Sequence, residues 1–258
     1  MSDTTPVSVE KIREAKISGR KIAVLTAYDY PLARLLDECG VEIILVGDSL
    51  GMVVLGYPDT TLVTMDEMVH HCKAVARGVK HALIVCDLPF GSYKTASLAV
   101  KNSRRLVEAG ARAVKLEGGI VQESAIAAIV KSGIPVMGHI GMLPQSVKIE
   151  GGYKMKGGAP REAEALLADA KAVERGGAFA VVMELVNPEL AKKITGSLSI
   201  PTIGIGSGTG CDGQVLVTYD LIGLFPWFKP KFVARKAHVS DEIRAAVAAY
   251  IQDVKSGT

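Results

Sequence analysis

The sequence predicts an α/β fold, a single (β/α)₈ barrel with a short helix ahead of its first strand. Short apolar runs alternate with amphipathic segments along the whole chain, a pattern typical of parallel strands joined by helices. The chain has 258 residues, which is close to the usual length of one such barrel. Three of the apolar runs also end in an acidic residue, and these barrels carry their chemistry at the carboxyl ends of the strands.

The strands are predicted from runs of aliphatic and β-branched residues that are too short for a typical helix. The predicted strands, in chain order, are Lys21–Ala27, Ile43–Asp48, Leu83–Asp87, Ala113–Glu117, Pro135–Gly141, Ala178–Leu185, Thr202–Gly206 and Gly213–Val217. No linker or low-complexity segment separates them, so residues 1–258 are predicted to form one domain. We expect residues 1–6 and 255–258 to be flexible.

The helices are predicted from their capping residues. Asp29 caps a helix that has Pro31 in its first turn and runs to Cys39. Thr64 and Glu67 form a capping box for a helix that reaches Val79. The other predicted helices are Val7–Lys16, Ala96–Ala109, Gln122–Lys131, Arg161–Arg175, Pro188–Thr195, Tyr219–Leu224 and Asp241–Val254. The segments Leu50–Val63 and Met142–Pro160 are predicted as loops, and the first helix is expected to cover one end of the barrel.

Composition excludes several classes of partner. The net charge is only +3, from 30 basic and 27 acidic side chains that are scattered along the chain, so we expect no nucleic-acid binding. The apolar runs are too short to cross a membrane. The first residues have no signal or transit character, and the four cysteines have no metal-binding or redox spacing. We therefore expect reduced cysteines and a cytoplasmic location.

Three acidic residues form the core of the functional prediction. Asp48, Asp87 and Glu117 end consecutive strands, so their side chains should converge at one end of the barrel. Any one of them alone is more often a helix cap or a turn former. Together they would repel one another unless a cation lay between them, and oxygen ligands favour Mg²⁺, with Mn²⁺ as a substitute.

Two further charged residues are candidates for roles in catalysis. Lys115 lies two residues before Glu117 and faces the same side of the strand. It could form an ion pair with Glu117 or Asp87, bind a substrate carboxylate or a developing enolate oxygen, or form a Schiff base. Glu184 lies within a buried strand and is either a general base or a paired structural residue.

Weaker signals come from single polar residues and from two loops. His139 could be a structural residue or a ligand, and Ser49 could cap a turn or donate a hydrogen bond to a substrate. The glycine-rich segment 204–210 follows a strand but opens no clear helix, which favours close approach of a ligand over a dinucleotide fingerprint. The loop 142–160 could be a solvated surface, a lid or an anion contact, because it contains Lys148, Lys154 and Lys156.

Eight motifs also follow one another in the order of a known family. They are Leu25–Asp29, Val46–Gly51, Cys86–Gly91, Ala113–Gly119, Gly138–Ser146, Gly151–Lys154, Gly204–Gly208 and Cys211–Gln214. Over roughly Ala23 to Ala237 the chain thereby resembles the ketopantoate hydroxymethyltransferases. The stretch Phe225–Phe228 departs from the family pattern.

The resemblance implies a TIM barrel enzyme that binds Mg²⁺ and takes a one-carbon unit from 5,10-methylenetetrahydrofolate. The acceptor would be the 2-oxo acid 3-methyl-2-oxobutanoate, and the product 2-dehydropantoate, an intermediate of pantothenate and coenzyme A biosynthesis. It also implies a homodecamer of two pentameric rings.

The resemblance assigns roles to individual residues. Asp48, Asp87 and Glu117 would hold the metal, the last directly or through water. The keto acid would be contacted by Ser49 and Lys115, together with Asp48 and Asp87. Glu184 would be the catalytic base, and His139 would lie behind the metal ligands.

Two other readings of the sequence remain open. The first is another Mg²⁺-dependent enolate enzyme on the same barrel, a carbon–carbon lyase or a phosphonomutase acting on oxo acids. The absence of cysteine from Met142–Pro160 argues against a lyase with a cysteine in its lid. The second is a catalytically silent barrel that serves as an oligomeric binding protein, which would tolerate D48N, D87N and E184Q.

Overall fold

A closed barrel of eight parallel strands, adjacent in chain order, forms the centre of the computed structural model, which describes residues 5–257. The strands are Ile22–Thr26 (β1), Ile43–Val46 (β2), Leu83–Asp87 (β3), Ala113–Glu117 (β4), Val136–Gly141 (β5), Ala180–Glu184 (β6), Thr202–Ile205 (β7) and Gly213–Leu216 (β8). The (β/α)₈ barrel prediction is therefore confirmed.

Helices connect the strands, as the alternating pattern predicts. They are Val9–Ile17 (α1), Tyr30–Glu38 (α2), Leu50–Val53 (α3), Met65–Gly78 (α4), Ala96–Glu108 (α5), Glu123–Lys131 (α6), Val147–Glu150 (α7), Pro160–Arg175 (α8), Pro188–Ser197 (α9), Thr218–Leu221 (α10) and Val239–Ser256 (α11). Three short 3₁₀ turns lie at Thr60–Leu62, Ile120–Gln122 and Pro144–Ser146.

The predicted helix caps are present. The side chain of Asp29 accepts a hydrogen bond from the backbone N of Leu32 at 2.8 Å. At the start of α4, the backbone N of Thr64 donates to Glu67 Oε2 at 2.7 Å, and the backbone N of Glu67 donates to Thr64 Oγ1 at 3.2 Å. These side chains satisfy backbone groups that a helix leaves unpaired at its first turn.

The core of the barrel is apolar at the amino ends of the strands. Ile12 and Ala15 of α1 are buried in the same cluster as the inward-facing strand residues Ile22, Ile43, Leu83, Ala113, Met137 and Ala180. Helix α1 therefore covers this end of the barrel, as expected. The polar residues that follow the strands lie at the opposite end of the barrel.

The two segments predicted as loops contain short helical turns. In the first, Leu50 is fully buried, and Gly51 lies so close to Val63 that a Cβ there would be 2.5 Å from Val63 Cγ2. A buried segment must satisfy its own backbone hydrogen bonds, which explains why it folds into α3 and a 3₁₀ turn. In the second, a 3₁₀ turn and α7 follow β5.

The chain divides into two compact units, one running to Val215 and the other beginning at Leu216. The second unit contains α10 and α11, and Lys255 and Ser256 complete α11. Of the termini predicted to be flexible, residues 1–4 and 258 lie outside the described residues. Within the described part of the chain, no helix is both long and apolar enough to cross a membrane.

Candidate active site

Six charged or ionisable side chains meet at the carboxyl ends of neighbouring strands. Strand pairing places Asp87 beside Lys115, Glu117 beside His139, and Gly141 beside Glu184. Asp48 lies two residues beyond the end of β2. All six are between 2% and 8% exposed, namely Asp48, Asp87, Lys115, Glu117, His139 and Glu184. Since charged side chains are rarely buried unless they are paired, their local contacts define what the cluster can do.

Asp87 links the first two acidic strand ends. Its Oδ2 accepts a hydrogen bond from the backbone N of Asp48 at 3.0 Å. Its Oδ1 lies 3.0 Å from Lys115 Nζ in a buried ion pair. The ion pair expected for Lys115 is therefore made with Asp87.

Burial and the crowding of negative charge shift the pKa values of these groups. Burial raises the pKa of Asp48 well above its usual value, and the charges of Asp87 and Glu117 add to this effect. Burial also raises the pKa of Asp87, although the Lys115 ammonium opposes it. For Lys115 itself, burial disfavours the charge, but the carboxylates outweigh burial and raise its pKa. Lys115 is therefore a cation, which disfavours the Schiff-base role because that role needs a neutral amine.

His139 bridges two carboxylates. Its Nδ1 lies 3.4 Å from Glu117 Oε1, and its Nε2 lies 3.2 Å from Glu184 Oε2. Burial and the charge of Lys115, whose Nζ is 3.3 Å from Nδ1, oppose protonation of the imidazole. Glu117 and Glu184 outweigh them and raise the pKa of His139 to about 9. The structure thus places the imidazole of His139 between the carboxylates of Glu117 and Glu184.

Glu117 is held from two sides. Burial acts against its charge, but the contact with His139 outweighs burial and lowers the pKa of Glu117. Its Oε2 accepts a hydrogen bond from the backbone N of Gln145 at 3.0 Å. Both of its oxygens therefore have partners within the protein.

The side chain of Ser49 contacts Tyr28 and does not cap a helix. It precedes α3 but its side chain makes no capping hydrogen bond there. Its Oγ instead lies 2.8 Å from the hydroxyl of Tyr28, which is buried. The turn-capping interpretation is therefore not supported, and the Ser49 hydroxyl is oriented by Tyr28.

Gln145 is a member of the site that sequence reasoning missed. Its Nε2 donates to Asp48 Oδ2 at 2.7 Å and to the carbonyl of Leu88 at 3.1 Å. Its Oε1 accepts a hydrogen bond from the hydroxyl of Tyr93. It lies within the motif Gly138–Ser146, four residues after the end of β5, but an uncharged polar residue in a loop is common and was assigned no role.

The segment 142–160 approaches the acidic cluster. Partial burial, together with the charges of Glu184 and Asp48, raises the pKa of Tyr153, although this residue is 47% exposed. Lys148 Nζ lies 2.8 Å from Asp59 Oδ2, which ties this segment to the loop after β2. This contact makes Lys148 more than a solvated surface charge.

The glycine-rich segment 204–210 has a structural role that the contacts explain. Ser207 Oγ donates to the carbonyl of Met183 at 2.7 Å and accepts from the backbone N of Val186 at 2.9 Å. Gly206 and Gly208 both have positive φ, at 63° and 76°, a conformation that favours glycine. The segment thereby turns back onto the end of β6, which carries Glu184.

The donor set fits a hard cation at Asp48 and Asp87. The backbone N of Asp48 donates to Asp87 Oδ2, which links the two residues, and burial raises the pKa of both carboxyl groups. Carboxylate oxygens are the ligands that a hard cation prefers. Glu117, which contacts His139 and Gln145, would contribute to the site directly or through water. Among the described residues, no group of three or more His, Cys, Asp or Glu side chains has the geometry of a metal site.

Comparisons with known proteins agree on one family. A model of the family described as ketopantoate hydroxymethyltransferase matches residues 6–258. A protein of Syntrophus aciditrophicus named 3-methyl-2-oxobutanoate hydroxymethyltransferase is 54% identical over 254 residues, covering 98% of this chain and 93% of the relative. A protein of Carboxydothermus hydrogenoformans with the same name is 55% identical over 251 residues, covering 96% and 91%.

Solved structures with the same fold are more distant in sequence. A phosphonopyruvate hydrolase in complex with oxalate and Mg²⁺ has a TM-score of 0.64 at 15% identity, covering 96% of this chain and 87% of its own. A 2,3-dimethylmalate lyase of the PEP mutase/isocitrate lyase superfamily has a TM-score of 0.62 at 14% identity, covering 97% and 88%. At this identity the likeness shows the fold alone, so it does not favour the lyase or phosphonomutase alternative.

Proposed function

The chain belongs to the ketopantoate hydroxymethyltransferase family, and from this premise we propose that it transfers a hydroxymethyl group from 5,10-methylenetetrahydrofolate to 3-methyl-2-oxobutanoate. The product is 2-dehydropantoate, which places the enzyme in pantothenate and coenzyme A biosynthesis. The observation that carries the proposal is the buried charged cluster at the carboxyl ends of β2 to β6, on a chain whose relatives bear this activity in their names. A silent scaffold has no need for a buried cluster of this kind.

Asp48 and Asp87 would hold a divalent cation, Mg²⁺ or Mn²⁺ in its place, and Glu117 would contribute to the site directly or through water. When bound, such a cation would act as a Lewis acid toward the keto oxygen of the substrate. Lys115, a buried cation 3.0 Å from Asp87 Oδ1, would balance the carboxylate of the 2-oxo acid. The hydroxyl of Ser49, oriented by Tyr28, would donate a hydrogen bond to the substrate.

Glu184 is assigned as the base that removes the proton from C3. The imidazole of His139, 3.2 Å from Glu184 Oε2, holds the carboxylate in place. The electron pair left on C3 forms the new bond to the methylene carbon of the donor. Both bonds from that carbon to folate nitrogens break, one as the bond to C3 forms and the other as water supplies the hydroxyl group. The proton taken from C3 and one proton of the water go to the two nitrogens, so that tetrahydrofolate leaves.

The assembly and location are part of the same proposal. We propose a homodecamer of two pentameric rings in the cytoplasm, on the basis of the family resemblance. Helix α11 supports association, because it exposes several large apolar side chains, namely Ile243, Val247, Tyr250, Ile251 and Val254. Analytical ultracentrifugation would test the decamer, and a monomer or dimer at micromolar concentration would contradict it.

Hydrogen–deuterium exchange at C3 of 3-methyl-2-oxobutanoate tests the first half of the reaction. The exchange is followed by NMR in D₂O with Mg²⁺ and without folate, for the wild type and for Glu184→Gln. We expect Mg²⁺-dependent exchange that Glu184→Gln abolishes. The matched control is Glu164→Gln on the exposed face of α8, which should exchange like the wild type.

Exchange that persists in Glu184→Gln, or that is unaffected by removal of Mg²⁺, would contradict the assignment. If the wild type shows no exchange, the assay is repeated with a tetrahydrofolate analogue present. Exchange that then begins shows that the donor must bind first. Continued absence shows that the substrate is wrong.

A further inference from the structure

Gln145 connects three strand ends of the candidate active site. Its backbone N donates to Glu117 Oε2 at 3.0 Å, at the end of β4. Its side-chain Nε2 donates to Asp48 Oδ2 at 2.7 Å, beyond the end of β2, and to the carbonyl of Leu88, after β3, at 3.1 Å. The residue is only 4% exposed. One residue in the segment after β5 therefore holds carboxylates that belong to two other strands.

The hydroxyl of Tyr93 holds the oxygen end of the Gln145 amide. The Tyr93 hydroxyl donates to Gln145 Oε1, and Tyr93 is itself buried. Nε2 also faces the carboxyl of Asp48 and the backbone carbonyl of Leu88, and the carbonyl can only accept hydrogen bonds. Rotating the amide by 180° would place Oε1 against the Leu88 carbonyl, so that two acceptors would face each other. The hydrogen-bond network therefore allows a single orientation.

The segment that carries Tyr93 is also fixed. The side-chain Nδ2 of Asn102, on α5, donates to the carbonyl of Ser92 at 2.7 Å, and both residues are buried. The hydroxyl that orients Gln145 is thus attached to a backbone that α5 holds in place. A chain of hydrogen bonds runs from α5 through Tyr93 and Gln145 to the carboxylate of Asp48.

We propose that Gln145, oriented by Tyr93, is a positioning residue that fixes the carboxylates of Asp48 and Glu117 for cation binding. An amide suits this role because it donates hydrogen bonds without adding a positive charge that would compete with the cation. By engaging Oδ2 of Asp48, it directs the other oxygen toward a ligand. The inference rests on the cation proposed at Asp48 and Asp87.

Mn²⁺ binding in the absence of substrates tests this role directly. Free Mn²⁺ is measured by its electron paramagnetic resonance signal during titration of the full chain. Removing a residue that orients a metal ligand typically weakens metal binding about 10–100-fold. We expect a loss of that size for Gln145→Leu and a smaller loss in the same direction for Tyr93→Phe, with Glu164→Gln on the exposed face of α8 as the control.

A second readout separates positioning from general damage to the fold. If Gln145 acts on cation affinity, a high Mg²⁺ concentration should restore turnover of Gln145→Leu, so that the KM for Mg²⁺ rises while kcat is largely retained. Wild-type Mn²⁺ affinity in both Gln145→Leu and Tyr93→Phe would overturn the inference. Should Gln145→Leu not fold, Tyr93→Phe decides alone, because it removes only a hydroxyl group.

The Asp48→Asn variant distinguishes failure of this inference from failure of the proposed function. If wild-type Mn²⁺ binding requires Asp48 but not Gln145 or Tyr93, the cation site stands and the positioning role is wrong. If the wild type binds no Mn²⁺, or binds it equally well without Asp48, the cation site itself is wrong, and the positioning role fails with it.

Discussion

The charge of His139 depends on its neighbours. Its imidazole is buried between Glu117 and Glu184, at 3.4 Å and 3.2 Å. These carboxylates raise its pKa from 6.5 to about 9, although burial and Lys115 oppose them. A group whose pKa is raised in the folded state stabilises the fold fully below its unfolded pKa, and this contribution is lost as the pH rises through the folded value.

The raised pKa of His139 predicts how the free energy of unfolding depends on pH. The stabilising contribution of His139 should be complete below about pH 6.5 and should disappear as the pH rises through about 9. The two pKa values correspond to an upper limit of roughly 3 kcal/mol. Urea unfolding at pH 6, 7.5 and 9.5, compared between the wild type and His139→Asn, would measure it. A stability difference that stays constant over this range, or that grows with pH, would show that the imidazole is not protonated in the fold.

At the scale of secondary-structure elements, close packing between β5 and α8 depends on a glycine. A Cβ added at Gly138 would lie 2.4 Å from Val173 Cγ1 and 3.1 Å from Cγ2. Val173 is fully buried, so it has little room to move. The absence of a side chain at Gly138 therefore allows the helix to pack directly against the strand next to His139.

Gly138→Ala tests this packing. Overfilling a packed core typically costs about 1–3 kcal/mol, so we expect the free energy of unfolding to fall by roughly that amount. Val173→Ala alone should also destabilise, because it leaves a cavity. The double variant should lose less stability than the two single variants added together. Val173→Ala makes room for the new Cβ, and that Cβ fills part of the cavity. Strictly additive values in urea unfolding would show that Val173 does not limit the space.

The elements that the sequence could predict are those with local signals. The cap at Asp29 and the capping box at Thr64 involve residues at most three apart, and both were predicted. The end of β2 was predicted too far along, at Asp48 rather than Val46. There the backbone N of Asp48 leaves the strand ladder and donates to the Asp87 carboxylate, a contact that depends on the neighbouring strand.

The residues of the candidate site also divide into those with a local signal in the sequence and those without one. Asp48, Asp87 and Glu117 could be predicted, because an acid directly after a buried strand is visible in the sequence and the barrel brings strand ends together. Gln145 and Tyr93 could not, because they belong to two different loops and their contact depends on how those loops pack. Pairing of Glu184 with His139 was also beyond the sequence, since it combines β6 with β5.

On the scale of the whole molecule, the two ends of the barrel have different roles. The amino ends of the strands pack against α1 in an apolar cluster that includes Ile12. The carboxyl ends carry the buried charged cluster, in which burial and like charge raise the pKa of Asp48 and of Asp87. Burying charged groups that are not fully paired opposes folding. The apolar end of the barrel therefore stabilises the fold, and the charged end destabilises it.

This division predicts that a loss-of-function substitution stabilises the fold. Asp48→Asn keeps the size of the side chain, and its amide oxygen can still accept the hydrogen bond from Gln145 Nε2, but it removes a carboxyl group whose ionisation burial and the charge of Asp87 oppose. In EDTA we expect its melting temperature to exceed that of the wild type, and each 1 kcal/mol gained corresponds to about 2–4 °C for a chain of this size. Turnover should be lost.

Adding Mg²⁺ should raise the melting temperature of the wild type above that of Asp48→Asn. A cation that binds only the folded state stabilises it by mass action, so the melting temperature of the wild type should rise with Mg²⁺ concentration while that of Asp48→Asn stays nearly constant. Calorimetric scans in EDTA and in a Mg²⁺ series measure both effects. A variant that melts below the wild type in EDTA would mean that the hydrogen bonds to Asp48 outweigh the repulsion from Asp87, and the charged end of the barrel would then contribute to stability as well as to function.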